Sequence, residues 1–389
     1  MQAILTVIAI VTLIYLLLLI SEISFGFHFI KNLLSQAILP SEKLPAISII
    51  FSARNEERHL PNAIRSMRSL NYPNFEIVAI NDRSTDNTNL ILKQFENDVN
   101  FKTKYIQTLP KGWLGKNYAL HTASQLAKNE WLLFTDADVV MKEDLVAKAI
   151  SYVINNNIDH LTIYENHINK GFWLKILLLA NYITYSMKLK PWRIKYTWSK
   201  KYLGHGAFNL VKKSSYLKCG GHHAIAMECL DDLKLGALIK NNGFKQDIVN
   251  GKNLIEREWY ASLSEMVDGL KKNSFAFFNY SFITFFINFI FAFLFFIVPF
   301  IGIFIFQGLL QFINIVNITL TFGMALIVAR YFQVQKYIAF FYPVGVLLLF
   351  YTLWNSVIAA YRHQGIIWRD TYYSLQELRN RNVLDNDDC

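Results

Sequence analysis

Charge is scarce in this chain, and cysteine scarcer still. Only 17% of the 389 residues are Asp, Glu, Lys or Arg, while 53% are hydrophobic and mean hydropathy is positive. That balance excludes an ordinary soluble protein, and the charge that remains excludes a pure transporter. The three cysteines, Cys219, Cys229 and Cys389, form no metal-type pair and no disulfide framework, a pattern compatible with a reducing compartment. No Lys or Arg precedes the uncharged run at residues 3–20, and no small-x-small cleavage site follows it. The run therefore predicts a retained membrane anchor rather than a cleaved signal peptide.

Charge thins out again beyond residue 279. Residues 279–306, 309–329 and 337–361 predict three C-terminal spans, with Arg330 and Lys336 marking the gap before the last. Pro299 and Pro343 mark places where a segment bends or lies in the interface. The chain is thus expected to divide into an anchor (1–26), one α/β domain of mixed polarity (27–274), tail helices (275–361) and a C-terminal tail (362–389). The net charge of +10 is concentrated rather than spread. Residues 187–201, MKLKPWRIKYTWSKK, hold six basic residues, three aromatics and no acid. Next to the apolar residues 172–183, in an anchored chain, they predict an interfacial segment over about 172–201 facing anionic headgroups, in preference to a nucleic-acid surface.

Within the α/β domain, short apolar runs alternate with helical patterns. Strands are predicted at 47–51, 76–80, 104–107 and 131–135, and helices at 55–69, 87–97, 117–128 and 143–155. This alternation argues for a mostly parallel sheet, whose ligands collect beyond the carboxyl ends of the strands. Polar clusters stand at those ends: Ser52-Ala-Arg-Asn-Glu-Glu57, Asn81-Asp-Arg-Ser-Thr-Asp-Asn-Thr88 and Asp136-Ala-Asp138. Asp86 also suits a helix cap, and Glu56 and Glu57 suit a first helical turn. Asp82, directly after a buried strand, fits a binding role better. Asp136 and Asp138 would repel one another with no local cation in the sequence to relieve them. A Mg²⁺ or Mn²⁺ ion carrying a diphosphate is the expected partner.

The order ISIIFSARNEE, FEIVAINDRSTDNT, LLFTDADV and ECLDDLKLG resembles the family 2 glycosyltransferases of the GT-A fold, over about residues 46–251. The anchor and tail helices resemble the membrane-embedded members that glycosylate lipids, such as ceramide glucosyltransferases and the bacterial hopanoid- and carotenoid-associated enzymes. GWLGKNYAL, SLSEMVDGLKKN and IIWRDTYY look like that last group in particular. The resemblance implies a GT-A domain, a mostly parallel sheet flanked by helices, with one N-terminal and about three C-terminal transmembrane helices. It implies that Ala53, Glu56 and Asp82 hold the nucleoside, and that Asp136 faces the ribose and the metal. Asp138 would face the metal and the diphosphate. Lys116, near a helix start, would meet a phosphate or else be a surface lysine. Asp232 would be the catalytic base with Asp231 in support, and Gly204, His205 and Gly206 would line the acceptor side. His205 also fits as a packed, inert histidine. The Q-x-x-R-W of processive synthases is missing; the nearest stretch is Glu256-Arg-Glu-Trp-Tyr260, in which Trp259 packs near the acceptor or anchors at the interface.

The implied activity is inverting transfer of one sugar from a UDP- or GDP-sugar to a lipid acceptor at the cytoplasmic face of the inner membrane. A processive polysaccharide synthase and a non-catalytic nucleotide-binding membrane protein are the other readings. Lys31, Lys43, Lys271 and Lys272 favour a cytosolic domain. Three tail spans would place Arg362, Arg369 and Arg379 outside, against their preference.

Overall fold

The computed structural model describes residues 2–379; Cys389 and the end of the predicted tail lie outside the described residues. The chain forms two compact units, each assembled from separated segments.

The larger unit takes residues 30–168, 191–259 and those described beyond 367. Its core is an eight-stranded sheet. In spatial order the strands are Lys31–Asn32, Gln246–Asn250, His160–Tyr164, Asn209–Lys212, Trp131–Phe134, Ile47–Ala53, Phe75–Asp82 and Phe101–Ile106. All neighbours run parallel except Asn209–Lys212, which is antiparallel to both of its neighbours. Ile47–Ala53 is buried at every position, as a central strand covered on both faces must be. Register fixes the rim: Ala53 pairs with Asn81, Asp82 with Ile106, and Ile50 with Phe134. The strands holding Ala53, Asp82 and Phe134 thus release their polar loops at one edge.

The four predicted strands are present, with Phe101–Ile106 beginning earlier than expected. The first helix is shorter than the pattern indicates. It opens at Leu60, with Pro61 in its first turn, because Asn55 turns left-handed (φ 55°) and keeps 55–59 as a loop. That loop carries Glu56 to the rim. A second, three-stranded sheet pairs Ile255–Arg257 with Val140–Met141 and Asn166–His167, and so brings three remote segments together beside Asp138.

The smaller unit takes residues 2–29, 169–190 and 260–366. Helix Phe172–Leu189 packs here, and so does helix Leu263–Ser274. A Cβ on Gly345 would come within 2.9 Å of the Ile176 carbonyl, and Ser356 bonds the Lys271 carbonyl. Among the described residues three helices are long and apolar enough to cross a membrane, at Ala3–His28, Leu309–Tyr331 and Lys336–Arg362. Buried Asn317 donates to the Ala9 carbonyl (3.1 Å), a polar tie between the first two. Two of the three candidates are C-terminal, and a third C-terminal one is added where the bent pair Leu263–Phe278 and Phe282–Phe296 (102°) counts as one span. Residues 279–306 do not form one span, because the chain breaks at Ile297 into helices Phe282–Phe296 and Val298–Ile305, with Pro299 in the first turn of the second. Arg369 lies in the larger unit, bonded to Asp82.

Candidate active site

Helix Gly115–Leu126 begins against the carboxyl edge of the sheet. A Cβ at Gly115 would lie 2.4 Å from Asp82 Oδ2, so only glycine allows the helix start to approach so closely. Asn117, fully buried, donates from Nδ2 to the carbonyls of Ile225 (2.7 Å), Ala226 (3.2 Å) and Glu228 (2.9 Å). This staple fixes the segment that leads into helix Asp231–Asn241. Lys116 Nζ then reaches Asp136 Oδ1 (2.9 Å) and Asp231 Oδ2 (3.2 Å).

On its other side Asp136 is held by Arg257, with Nη1 at 2.9 Å from Oδ2, while Arg257 Nε sits 3.0 Å from Asp138 Oδ2. The sequence offered no neighbouring cation for this acidic pair; the structure brings two from remote segments. Arg257 was invisible because nothing local connects a short strand at 255–257 with a strand end at 134. Burial works to raise the Asp136 carboxyl, but Lys116 and Arg257 outweigh it and hold the group well below the ordinary carboxylate range. Asp231 goes the other way. Burial, together with the charges of Asp232 and Asp136, lifts it to about 6 against the pull of Lys116. Lys116 is nearer Asp136, and Asp136 alone has a second cation, which is why the two carboxyls are displaced in opposite directions.

Asp232 is less buried than Asp231 and accepts from Leu233 N at Oδ1 (2.7 Å). Gly204 and Gly206 lie against it: a Cβ on Gly204 would meet the Asp232 carbonyl at 1.8 Å. One on Gly206 would lie 2.5 Å from Asp136 Oδ2 and 3.4 Å from Asp232 Oδ2. The acids of the strand end and of the helix start thus face each other across one hydrogen atom. His205, between the two glycines, is not an isolated packed ring. Its Nδ1 is 2.9 Å from Glu165 Oε2, and His167 Nε2 is 2.9 Å from Glu165 Oε1. Burial opposes the charge on Glu165, yet the two imidazoles keep its carboxyl well below normal; Glu165 in turn raises His205 despite burial. Trp259 stacks on His167 (5.4 Å, 21°) and joins the same group. No pattern around Glu165 announced it.

Glu56 is lifted to about 7, first by burial and then by Asp138 and Asp136, which places it among the same acids. Glu57 and Asp86 do not join them. Asp86 accepts from Thr88 N and Glu57 N, and Glu57 accepts from Asn87 N, so the two loops lock each other at the rim. Ala53 ends its strand, buried, opposite Asn81. Asp82 is fully buried between Arg83 and Arg369; these cations outweigh burial and lower its carboxyl.

Among the described residues no three His, Cys, Asp or Glu side chains converge as a ready-made metal centre. A Mg²⁺- or Mn²⁺-type site needs fewer, since one or two carboxylates with substrate phosphates complete its shell. Asp138 Oδ1 is buried with no hydrogen-bond partner, and Glu56 beside it is forced towards its protonated form. A hard cation here would relieve both, so the oxygen set fits one.

A mostly parallel α/β sheet with paired acids at its carboxyl edge is the GT-A type of fold. Residues 48–219 match the model described as Glycosyl transferase family 2, so the chain carries a glycosyltransferase domain of that family. It is similar to 4,4'-diaponeurosporenoate glycosyltransferase of Staphylococcus haemolyticus, 25% identical over 244 residues, covering 60% of this chain and 62% of that one. It also matches poly-beta-1,6-N-acetyl-D-glucosamine synthase of Staphylococcus epidermidis, 32% identical over 103 residues, 26% of this chain and 24% of the other. The chain spans less than two thirds of the length of these curated relatives. Among solved structures, mannosyltransferase PcManGT from Pyrobaculum calidifontis, in complex with GDP-Man and Mn²⁺, shares the fold: TM-score 0.53, 17% identity, 92% of this chain and 98% of that one.

Proposed function

We propose that this protein is an inverting, metal-dependent glycosyltransferase that moves a single sugar from a nucleotide-diphosphate sugar to a lipid-type acceptor at the cytoplasmic face of the membrane. The observation that carries the reading is the approach of Asp136 and Asp232 across Gly206. Donor acids and an acceptor acid share one small space, as direct displacement requires. Asp138 and Asp136 would hold a divalent cation, which when bound supplies Lewis-acid stabilisation of the leaving diphosphate. Lys116 and Arg257 orient these acids and add positive charge where negative charge develops. Asp232 takes the proton of the acceptor hydroxyl as it attacks; Asp231, which retains its own proton more readily, positions Lys116. His205, held by Glu165, and Trp259 behind His167 border the acceptor side.

The lipid acceptor is supported by the three apolar helices and by the S. haemolyticus relative, named for diaponeurosporenoate rather than for a polymer. The S. epidermidis relative supports processive synthesis instead, against the missing Q-x-x-R-W. Mass spectrometry of lipids from cells with and without the protein decides between them. A single-hexose increment on one lipid class is expected. Long polysaccharide with no such increment would sink the proposal.

A further inference from the structure

We propose that the segment after the apolar helices, residues 367–374, is part of the nucleotide site, with Arg369 and Arg83 contacting the nucleoside diphosphate of the donor. This rests on the donor reading above and extends it to residues that reading does not use.

Two short strands, Gly365–Trp368 and Thr371–Ser374, enclose a two-residue turn made of Arg369 (φ 49°) and Asp370 (φ 59°). Turns of that shape take Asn-Gly or Asp-Gly, because both positions need positive φ. Arginine is poorly suited to the first, and Arg83, which meets this turn, is left-handed as well (φ 57°). Backbone held in such conformations persists only where its surroundings insist on it. Here they do so through three guanidiniums. Arg369 Nη1 lies 3.1 Å from Asp82 Oδ2, and Arg83 Nε lies 2.7 Å from Asp82 Oδ1. Arg83 Nη1 donates to Thr371 Oγ1 (3.2 Å), and Arg54 Nη2 reaches Asp370 Oδ2 (2.7 Å).

Three arginines pair directly with only two carboxylates, one of which, Asp370, is 81% exposed. Arg83 Nη2 is buried without a hydrogen bond, and a Cβ at Gly115 would sit 2.5 Å from it, so it faces the start of helix Gly115–Leu126. Surplus guanidinium donors beside a twelve-residue helix N-terminus form a setting for phosphate oxygens. Asp82 is fully buried, with one arginine on each oxygen. Each oxygen keeps a further lone pair, but a nucleoside reaches it only if a covering guanidinium moves aside, and Arg369, on the turn, then has the donor's oxygens as new acceptors. The charge of Arg369 acts on Glu56, as those of Asp138 and Asp136 do.

The test uses the full chain in detergent, with UDP and GDP titrated calorimetrically in the presence of Mn²⁺. Arg369→Ala is expected to weaken nucleotide binding about tenfold or more, as loss of a charged hydrogen bond does, and Arg369→Lys to recover part of it. Unchanged or tighter binding in Arg369→Ala overturns the inference and leaves the donor reading intact. A parent protein that binds neither nucleotide overturns both. Should Arg369→Ala lose its melting transition, hydrogen–deuterium exchange on the parent decides. Added nucleotide should slow exchange across 367–374, and unaltered exchange there overturns the inference.

Discussion

Replacing Gly206 by alanine adds one methyl group at the point where the two acids meet. Gly206 has no left-handed backbone requirement, so the cost is steric. The new Cβ would lie 2.5 Å from Asp136 Oδ2, and ordinary contact begins at 3.4 Å, so about 0.9 Å of displacement is required. Asp136 has little freedom to give it. Oδ2 is held by Arg257 and Oδ1 by Lys116, both at 2.9 Å. Moving the carboxylate lengthens at least one charged bond, worth about 1.5–3 kcal/mol, and misplaces the donor acids by close to an ångström. A shift of that size costs on the order of 100-fold in rate. The assay is single-sugar transfer by the purified full chain, with thermal melting alongside. Gly323→Ala is the control, because nothing lies within 4 Å of the added Cβ. We expect Gly206→Ala to lose about two orders of magnitude in kcat while Gly323→Ala stays at parent level. Gly206→Ala turnover within twofold of the parent would refute the reasoning.

Asp232→Asn should keep nucleotide binding and lose about 10²–10⁴-fold in transfer; turnover at parent level in a titration-competent variant counts against Asp232 as base. The raised Asp231 carboxyl makes a signed prediction for stability. An acid lifted from 3.8 to about 6 binds its proton more tightly when folded, so its penalty is absent below 3.8, grows as pH rises, and is complete above 6. Asp231→Asn should therefore gain on the parent by up to about 3 kcal/mol between pH 4 and 6, read as a widening difference in thermal midpoint, and a pH-independent difference contradicts it. Asn117→Ala removes the amide that ties three carbonyls, two of which keep a backbone donor (Leu114 N on Ala226, Glu228 N on Ile225), and should cost about 1–3 kcal/mol of stability, seen as a lowered melting temperature; an unmoved midpoint would show that the staple is not holding.

Elements were legible wherever a single segment contained its own reason. The run at 47–53 reads as a central strand because it is apolar on both faces, and Asp82 and Asp136 stand out because carboxylates follow such strands. The sequence also indicated GT-A architecture and the N-terminal apolar helix. What could not be read were partners supplied from afar. Arg257 answers the acidic pair from a three-residue strand whose pairing depends on two other remote segments. Glu165 matters only because His167 and His205 flank it in space. The run at 279–306 is divided for a local reason that composition conceals, since a uniformly apolar run says nothing about where Ile297 breaks it.

Residues 367–374 return to the sheet unit only after the whole of 260–366 has been made. Biosynthesis therefore leaves Asp82 without Arg369 until the intervening apolar helices have emerged from the ribosome. If those helices insert in a bilayer, a chain stalled partway through insertion lacks the guanidinium that engages Asp82 Oδ2.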